Sequence, residues 1–230
     1  MKRRQAILAR LIQAVEILGP LADDFVFVGG SAVPLLVTDE AAPDARTTTD
    51  VDVVVHVLTR SEYRKVEERL QSVQFHLDIM DGVICRFKNG ELVLDVMPTD
   101  ENILKFGNEW YKHAIVEPVS YPLLPDRSIK VINAPLFLCT KFGAYKDRGL
   151  EDEKDLEDII SIVDGRRELL DELTASSQEI KAYVSVSLTE LLDAGLAARL
   201  DWFLPGDAAG AARLPLVLER LRMMIALSSA

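Results

Sequence analysis

Cysteine and histidine are scarce in this chain, at two and three of 230 residues. Neither Cys85 nor Cys139 belongs to a CxxC or Cys/His pattern, which excludes the usual zinc sites. Each cysteine sits in an apolar run and reads as a small buried hydrophobe. His56, His76 and His113 have no cysteine, serine or second histidine at ligand or triad spacing, so nucleophilic histidine chemistry has no foothold. Positive charge is also short. Lysine and arginine number 26 against 37 acidic residues, a net charge of −11. That balance repels phosphate backbones at long range and argues against a dedicated duplex-DNA binder. No segment reads as long and charge-free enough to span a membrane, and the basic start is followed by Arg10, Gln13 and Glu16 rather than an unbroken apolar stretch. The expected location is the cytoplasm, with no membrane partner.

What is present is an ordinary globular composition, 49% hydrophobic and 27% charged, long enough for one catalytic domain with a helical appendage. Leu8, Leu11, Ile12, Val15 and Leu18 share one face of a helix over 5–18, ended by Gly19-Pro20. Phe25–Val28 is a short strand stopped by Gly29-Gly30, and Ser31–Val37 begins a helix. A polar loop follows to Thr49, and Val51–Val57 is rich in β-branched residues. The reading continues with a helix over Ser61–Ser72 capped by Ser61. Strands Val83–Phe87 and Glu91–Val96 flank an Asn89-Gly90 turn, and strand-like pieces run through 113–132. From Pro135 the pattern turns helical, over Leu136–Tyr145, Lys154–Val163, Glu168–Leu192 and Leu214–Leu227, with 205–212 as a flexible connector. The expected organisation is α/β: a mixed half, 1–133 with its N-terminal helix, and a helical region, 134–230.

Three segments carry the chemistry. Val26-Phe27-Val28-Gly29-Gly30-Ser31 is a strand ending in two glycines and a serine. Glycine permits close backbone approach to an anion, and a helix starting there aims its first N–H groups at the same place. A tight strand-to-helix turn accounts for the same residues. Thr49-Asp50-Val51-Asp52 places two carboxylates on one face of a strand, because residues i and i+2 point the same way. Leu92-Val93-Leu94-Asp95-Val96-Met97 sets a third carboxylate in an apolar run, where a charge needs a partner. A hard divalent ion shared by all three relieves their repulsion. Taken singly, Asp50 could cap a turn, Asp52 could pair with an arginine, and Asp95 could sit at a solvated edge.

Gly29-Gly30-Ser31, Asp50-Val51-Asp52 and the distant Asp95 together resemble the signature of the polymerase-β-like nucleotidyltransferase superfamily. Arg46-x-Thr48-x-Asp50-x-Asp52, Asp95-Val96-Met97-Pro98-Thr99-Asp100, and Lys141 with Lys146, Arg148, Asp155 and Asp158 are similar to its AbiEii-type branch, many members of which are toxins of toxin–antitoxin or phage-defence systems. The resemblance covers about residues 25–167. It implies a nucleotidyltransferase-fold mixed sheet flanked by helices and Mg²⁺ or Mn²⁺ on Asp50, Asp52 and Asp95. It further implies a nucleoside triphosphate held by Gly29, Gly30, Ser31, Arg46, Thr49 and Lys141, the last reaching the triphosphate. The implied reaction is transfer of NMP to an acceptor hydroxyl on RNA, protein or a small molecule, with a cognate antitoxin as a partner. Lys154 stands where the branch carries an arginine before Asp155, so Asp155 and Asp158 receive no role. Two other readings share these residues: a non-catalytic nucleotide- or partner-binding protein, and a small-molecule nucleotidyltransferase of the antibiotic-resistance kind. Phe106, Trp110 and Tyr111 could stack a base, although such spacing usually marks core.

Overall fold

The computed structural model describes residues 2–80, 82–148 and 153–229. The chain divides into two compact units. The first comprises 1–34 and 46–133, and the second comprises 35–45 and 134–230. The segment 35–45, which the sequence alone assigned to the mixed half, groups with the helices instead.

In the first unit, α1 (Lys2–Leu18) ends at Gly19-Pro20 as the sequence indicates, and a 3₁₀ turn follows over Gly19–Asp24. By length and composition the stretch Arg3–Asp24 is apolar enough to cross a membrane, which corrects the sequence reading. In the structure its apolar stripe is already used: Ile7, Leu11, Ala14, Val15 and Leu18 are buried in this unit. Strands β1 (Phe25–Val28), β2 (Asp50–Val55), β3 (His76–Leu77), β4 (Arg86–Asn89), β5 (Leu92–Pro98), β6 (Val119–Leu124) and β7 (Arg127–Val131) form one mixed sheet in the order β3-β4-β5-β2-β1-β7-β6. The pairs β2–β5 and β1–β7 are parallel and the others antiparallel. The mixed sheet flanked by helices is therefore the observed architecture.

β1 and β2 lie in the middle of this sheet, and their sequences, Phe-Val-Phe-Val and Asp-Val-Asp-Val-Val-Val, suit a strand covered on both faces. Between them α2 (Gly29–Leu36) follows β1 without a connecting residue. After β2 comes α3 (Arg60–Ser72). Its N-cap is Thr59, not Ser61: the Thr59 hydroxyl accepts the Glu62 N–H and the Glu62 carboxylate accepts the Thr59 N–H. Tyr63 from this helix is fully buried and donates to Val96 O at 2.7 Å, pinning α3 to β5. The β4–β5 hairpin pairs Asn89 with Leu92. Its central residues are thus Gly90-Glu91, with Gly90 at φ +57°, one position beyond the Asn89-Gly90 centre expected from sequence. Two short helices follow, α4 (Glu101–Leu104) and α5 (Tyr111–Val116), the latter in a stretch read as strand-like. Trp110 is buried, whereas Phe106 is 40% exposed, so these aromatics form no single core cluster.

The second unit is helical: α6 (Ala134–Arg148), α7 (Lys154–Gly165), α8 (Leu169–Ala175), α9 (Gln178–Asp193), α10 (Leu196–Arg199) and α11 (Ala208–Ala226). The stretch read as one helix over 168–192 breaks at Ser176-Ser177, where the Ser177 hydroxyl caps α9. The expected connector at 205–212 is in fact largely the first turn of α11, capped by Asp207 through the N–H groups of Ala209 and Gly210. Segment 35–45 is tied in by backbone and charge. Thr38 and Asp39 donate N–H to Gly165 O at 3.0 and 2.8 Å, and Asp39 pairs with Arg167 and Arg213. Arg213 also pairs with Asp164.

Candidate metal centre and phosphate turn

Asp50 and Asp52 open β2 on one face, while Val51, Val53 and Val55 bury the other. β5 lies parallel to β2 in a register that sets Asp95 directly beside Asp52. The three carboxylates thus converge, with ligand atoms all within 4.8 Å of one another. Asp95 is largely buried within Leu92–Pro98, as the apolar run requires.

The turn after β1 meets this group from the other side. Val28 pairs with Asp52, so Gly29 arrives against the Asp52 side chain. Gly29 has φ +63°, and a Cβ there would lie 2.0 Å from Asp52 Oδ2. Only glycine satisfies both the backbone angle and the space. Gly30 and Ser31 continue the first turn of α2. Ser31 is buried, and its hydroxyl donates to Val28 O at 3.3 Å.

Asp50 is held by a relay. The Thr48 hydroxyl donates to Asp50 Oδ1 at 2.5 Å, and Arg10 from α1 donates to Thr48 O at 2.9 Å. Thr49 is exposed between them in sequence, and Arg46 lies just upstream with its guanidinium 3.5 Å from Thr47 O.

Arg86 is the residue that sequence reasoning missed. β4 pairs antiparallel with β5, and Arg86 stands directly opposite Asp95. Its Nε and Nη2 donate to Asp95 Oδ1 and Oδ2 at 2.8 and 2.7 Å, a bidentate fork, and Nη2 lies 3.5 Å from Asp50 Oδ2. The side chain is only 19% exposed, which favours such charge-assisted bonds. The neighbouring Cys85 thiol is pushed up to about 12 by burial, with the Asp95 charge adding to it. Among the described residues, the ligand atoms that converge here are those of Asp50, Asp52 and Asp95, without Cys85. The donor set is therefore three carboxylates, which suits a hard divalent ion such as Mg²⁺ or Mn²⁺. The glycine that keeps Asp52 clear of a Cβ fits the same purpose.

Lys141 belongs to the helical unit. Its ammonium is buried between Asp155 at 2.9 Å and Asp158 at 2.7 Å, with Arg148 also on Asp155 at 3.1 Å. Burial pulls the Lys141 ammonium down, but Asp158 and Asp155 outweigh it and raise its pKa above the ordinary value. Asp155 and Asp158, left without a role by the sequence, thus hold a buried cation.

No protein-family model matches the sequence, and no curated protein matches it. Among solved structures, the chain is similar to an antigenic nucleotidyltransferase-like protein from Paracoccidioides brasiliensis, at 20% identity over 87% of this chain and 93% of that one, with a TM-score of 0.48. It is also similar to JHP933 from Helicobacter pylori, at 14% identity over 97% of this chain and 92% of that one, with a TM-score of 0.52. The likeness to JHP933 extends over both units and is a likeness of fold.

Proposed function

We propose that this chain is a divalent-metal-dependent nucleotidyltransferase. The observation that carries the reading is the convergence of Asp50, Asp52 and Asp95 beside a glycine turn that opens α2. The sequence motifs that resemble the nucleotidyltransferase superfamily are the residues that converge. Asp50, Asp52 and Asp95 would hold the ion. When bound, it would neutralise triphosphate charge and stabilise the departing pyrophosphate.

The rest is the chain's own work. Gly29, Gly30 and Ser31 lend the N–H groups of a helix start to phosphate oxygens. The acceptor hydroxyl oxygen attacks the α-phosphorus, the bond to pyrophosphate breaks, and the hydroxyl proton passes to a carboxylate or to water. Asp95, the base in this reading, accepts two bonds from Arg86 and keeps further lone pairs on both oxygens for that proton. Thr49 and Arg46 flank the nucleotide in this reading. Lys141 would reach the triphosphate only by leaving Asp155 and Asp158. The acceptor hydroxyl belongs to RNA, protein or a small molecule, and the toxin role with its cognate antitoxin is part of the same proposal, as is a cytoplasmic setting.

The test is transfer of label from each α-labelled NTP, with Mg²⁺ or Mn²⁺, by the wild type and by Asp52→Asn. Labelled product that disappears in the variant is expected. Metal-independent nucleotide binding without transfer, unchanged in Asp52→Asn, would favour the non-catalytic reading instead.

A further inference from the structure

We infer that Arg86 is a built-in counter-cation of the acidic triad, which limits the site to a single divalent ion until a nucleotide brings its own charge. The inference rests on the metal-site reading above.

The formal positive charge of Arg86 lies directly against Asp50 and Asp95, so the site is less negative than its three carboxylates alone would make it. One divalent ion still finds a net attraction there, and a second meets both the first ion and the guanidinium. The guanidinium is not a distant surface charge. It is fixed by strand register opposite Asp95, grips both Asp95 oxygens, and extends to within 3.5 Å of Asp50 Oδ2. An arginine cannot shed its proton to make room for an ion, so its charge persists under every condition in which the protein is folded. The fork also resolves a difficulty of the metal-free state. Three carboxylates crowded within 4.8 Å would otherwise repel one another while Asp95 is largely buried. The arginine that holds the triad together without metal is therefore the group that opposes metal entry. A triphosphate carries enough negative charge to reverse the balance, so a further ion would enter together with the nucleotide.

The experiment is a Mn²⁺ titration of chelator-stripped protein without nucleotide, following free Mn²⁺ by electron paramagnetic resonance. It compares the wild type, Arg86→Gln, Arg86→Lys and Asp52→Asn. The wild type should take up one ion per chain, lost in Asp52→Asn. Arg86→Gln should bind Mn²⁺ about tenfold more tightly and admit a second ion. That is the order of effect of one unit charge on a divalent ion at roughly 5 Å through a water-like dielectric. Arg86→Lys, which keeps the charge, should stay within about threefold of wild type on the same Coulomb argument. Equal or weaker binding by Arg86→Gln would overturn the inference and leave the metal site standing. Two tight ions in the wild type would overturn it without recourse to any variant, should Arg86→Gln fail to fold. Absence of Asp52-dependent Mn²⁺ uptake in both wild type and Arg86→Gln would instead remove the metal-site reading itself, and the inference with it.

Discussion

Gly29 and Asp52 occupy one another's space: a Cβ on the glycine would lie 2.0 Å from Oδ2 of the aspartate. Gly29→Ala must therefore displace Asp52 or the turn. The positive φ adds roughly 1–2 kcal/mol of backbone strain for any L-residue. We expect a modest fall in melting temperature with a near-total loss of transfer and of Mn²⁺ binding. Retained Mn²⁺ affinity in Gly29→Ala would show that the turn and the triad are independent.

Thr48 acts through Asp50. Its hydroxyl fixes one Asp50 oxygen, while Arg10 fixes the Thr48 carbonyl. Thr48→Val keeps the shape and removes the donor. Groups that orient a metal ligand typically contribute about 10–100-fold to affinity or activity. The expected result is a loss of that order in Mn²⁺ affinity, with circular dichroism unchanged. Wild-type Mn²⁺ binding in the valine variant would count against the relay.

The Lys141 cluster makes a prediction about stability. Lys141→Met leaves Asp155 and Asp158 buried, with Arg148 as the remaining cation beside Asp155. Breaking a buried pair from one side costs about 3–5 kcal/mol. Denaturant unfolding should show a loss of that size in the helical unit. An unchanged unfolding curve together with a raised KM for NTP would place the ammonium on the triphosphate, as the sequence implied.

Asp39 ties segment 35–45 to Arg213 and Arg167, and these guanidinium groups hold its carboxyl well below the ordinary value of 3.8. A carboxylate depressed by folding stabilises the protein at pH above its unfolded value, and that contribution is lost as pH falls through the folded one. Asp39→Asn should therefore lower the melting temperature at pH 7. The gap from wild type should begin to narrow only below about pH 4, where the unfolded Asp39 takes up its proton. A gap constant from pH 7 to pH 2 would show that the carboxylate charge is not what binds the segment.

The central strands were legible in the sequence because their chemistry is local. Valine-rich β1 and β2 end or begin at glycines and aspartates, and the i, i+2 spacing of Asp50 and Asp52 fixed their common face. The approach of Asp95 to them is a matter of tertiary register, and only the motif resemblance anticipated it. Arg86 escaped notice through one residue of hairpin register. A turn centred on Asn89-Gly90 would have set Ile84 opposite Asp95. The observed centre at Gly90-Glu91 puts Arg86 there. The Thr59–Glu62 capping box was present in the sequence, but Ser61 masked it. The start of α11 was misread because Pro205, Gly206 and Gly210 look like a connector, although Asp207 caps the helix ahead of Gly210. Segment 35–45 carries no periodicity, so nothing local could reveal that its partners lie more than a hundred residues downstream.

That last arrangement has a consequence for biosynthesis. The chain crosses between its two units three times, after Pro34, after Ala45 and after Asn133. As the polypeptide leaves the ribosome, the loop that returns β2 to β1 emerges long before Gly165, Arg167 and Arg213, the groups that receive it. A nascent chain stopped near residue 133 would carry all three aspartates yet have that loop untethered, with its backbone N–H groups left to water. Every residue of the acidic centre is thus synthesised well before the last of the groups that tie this loop down.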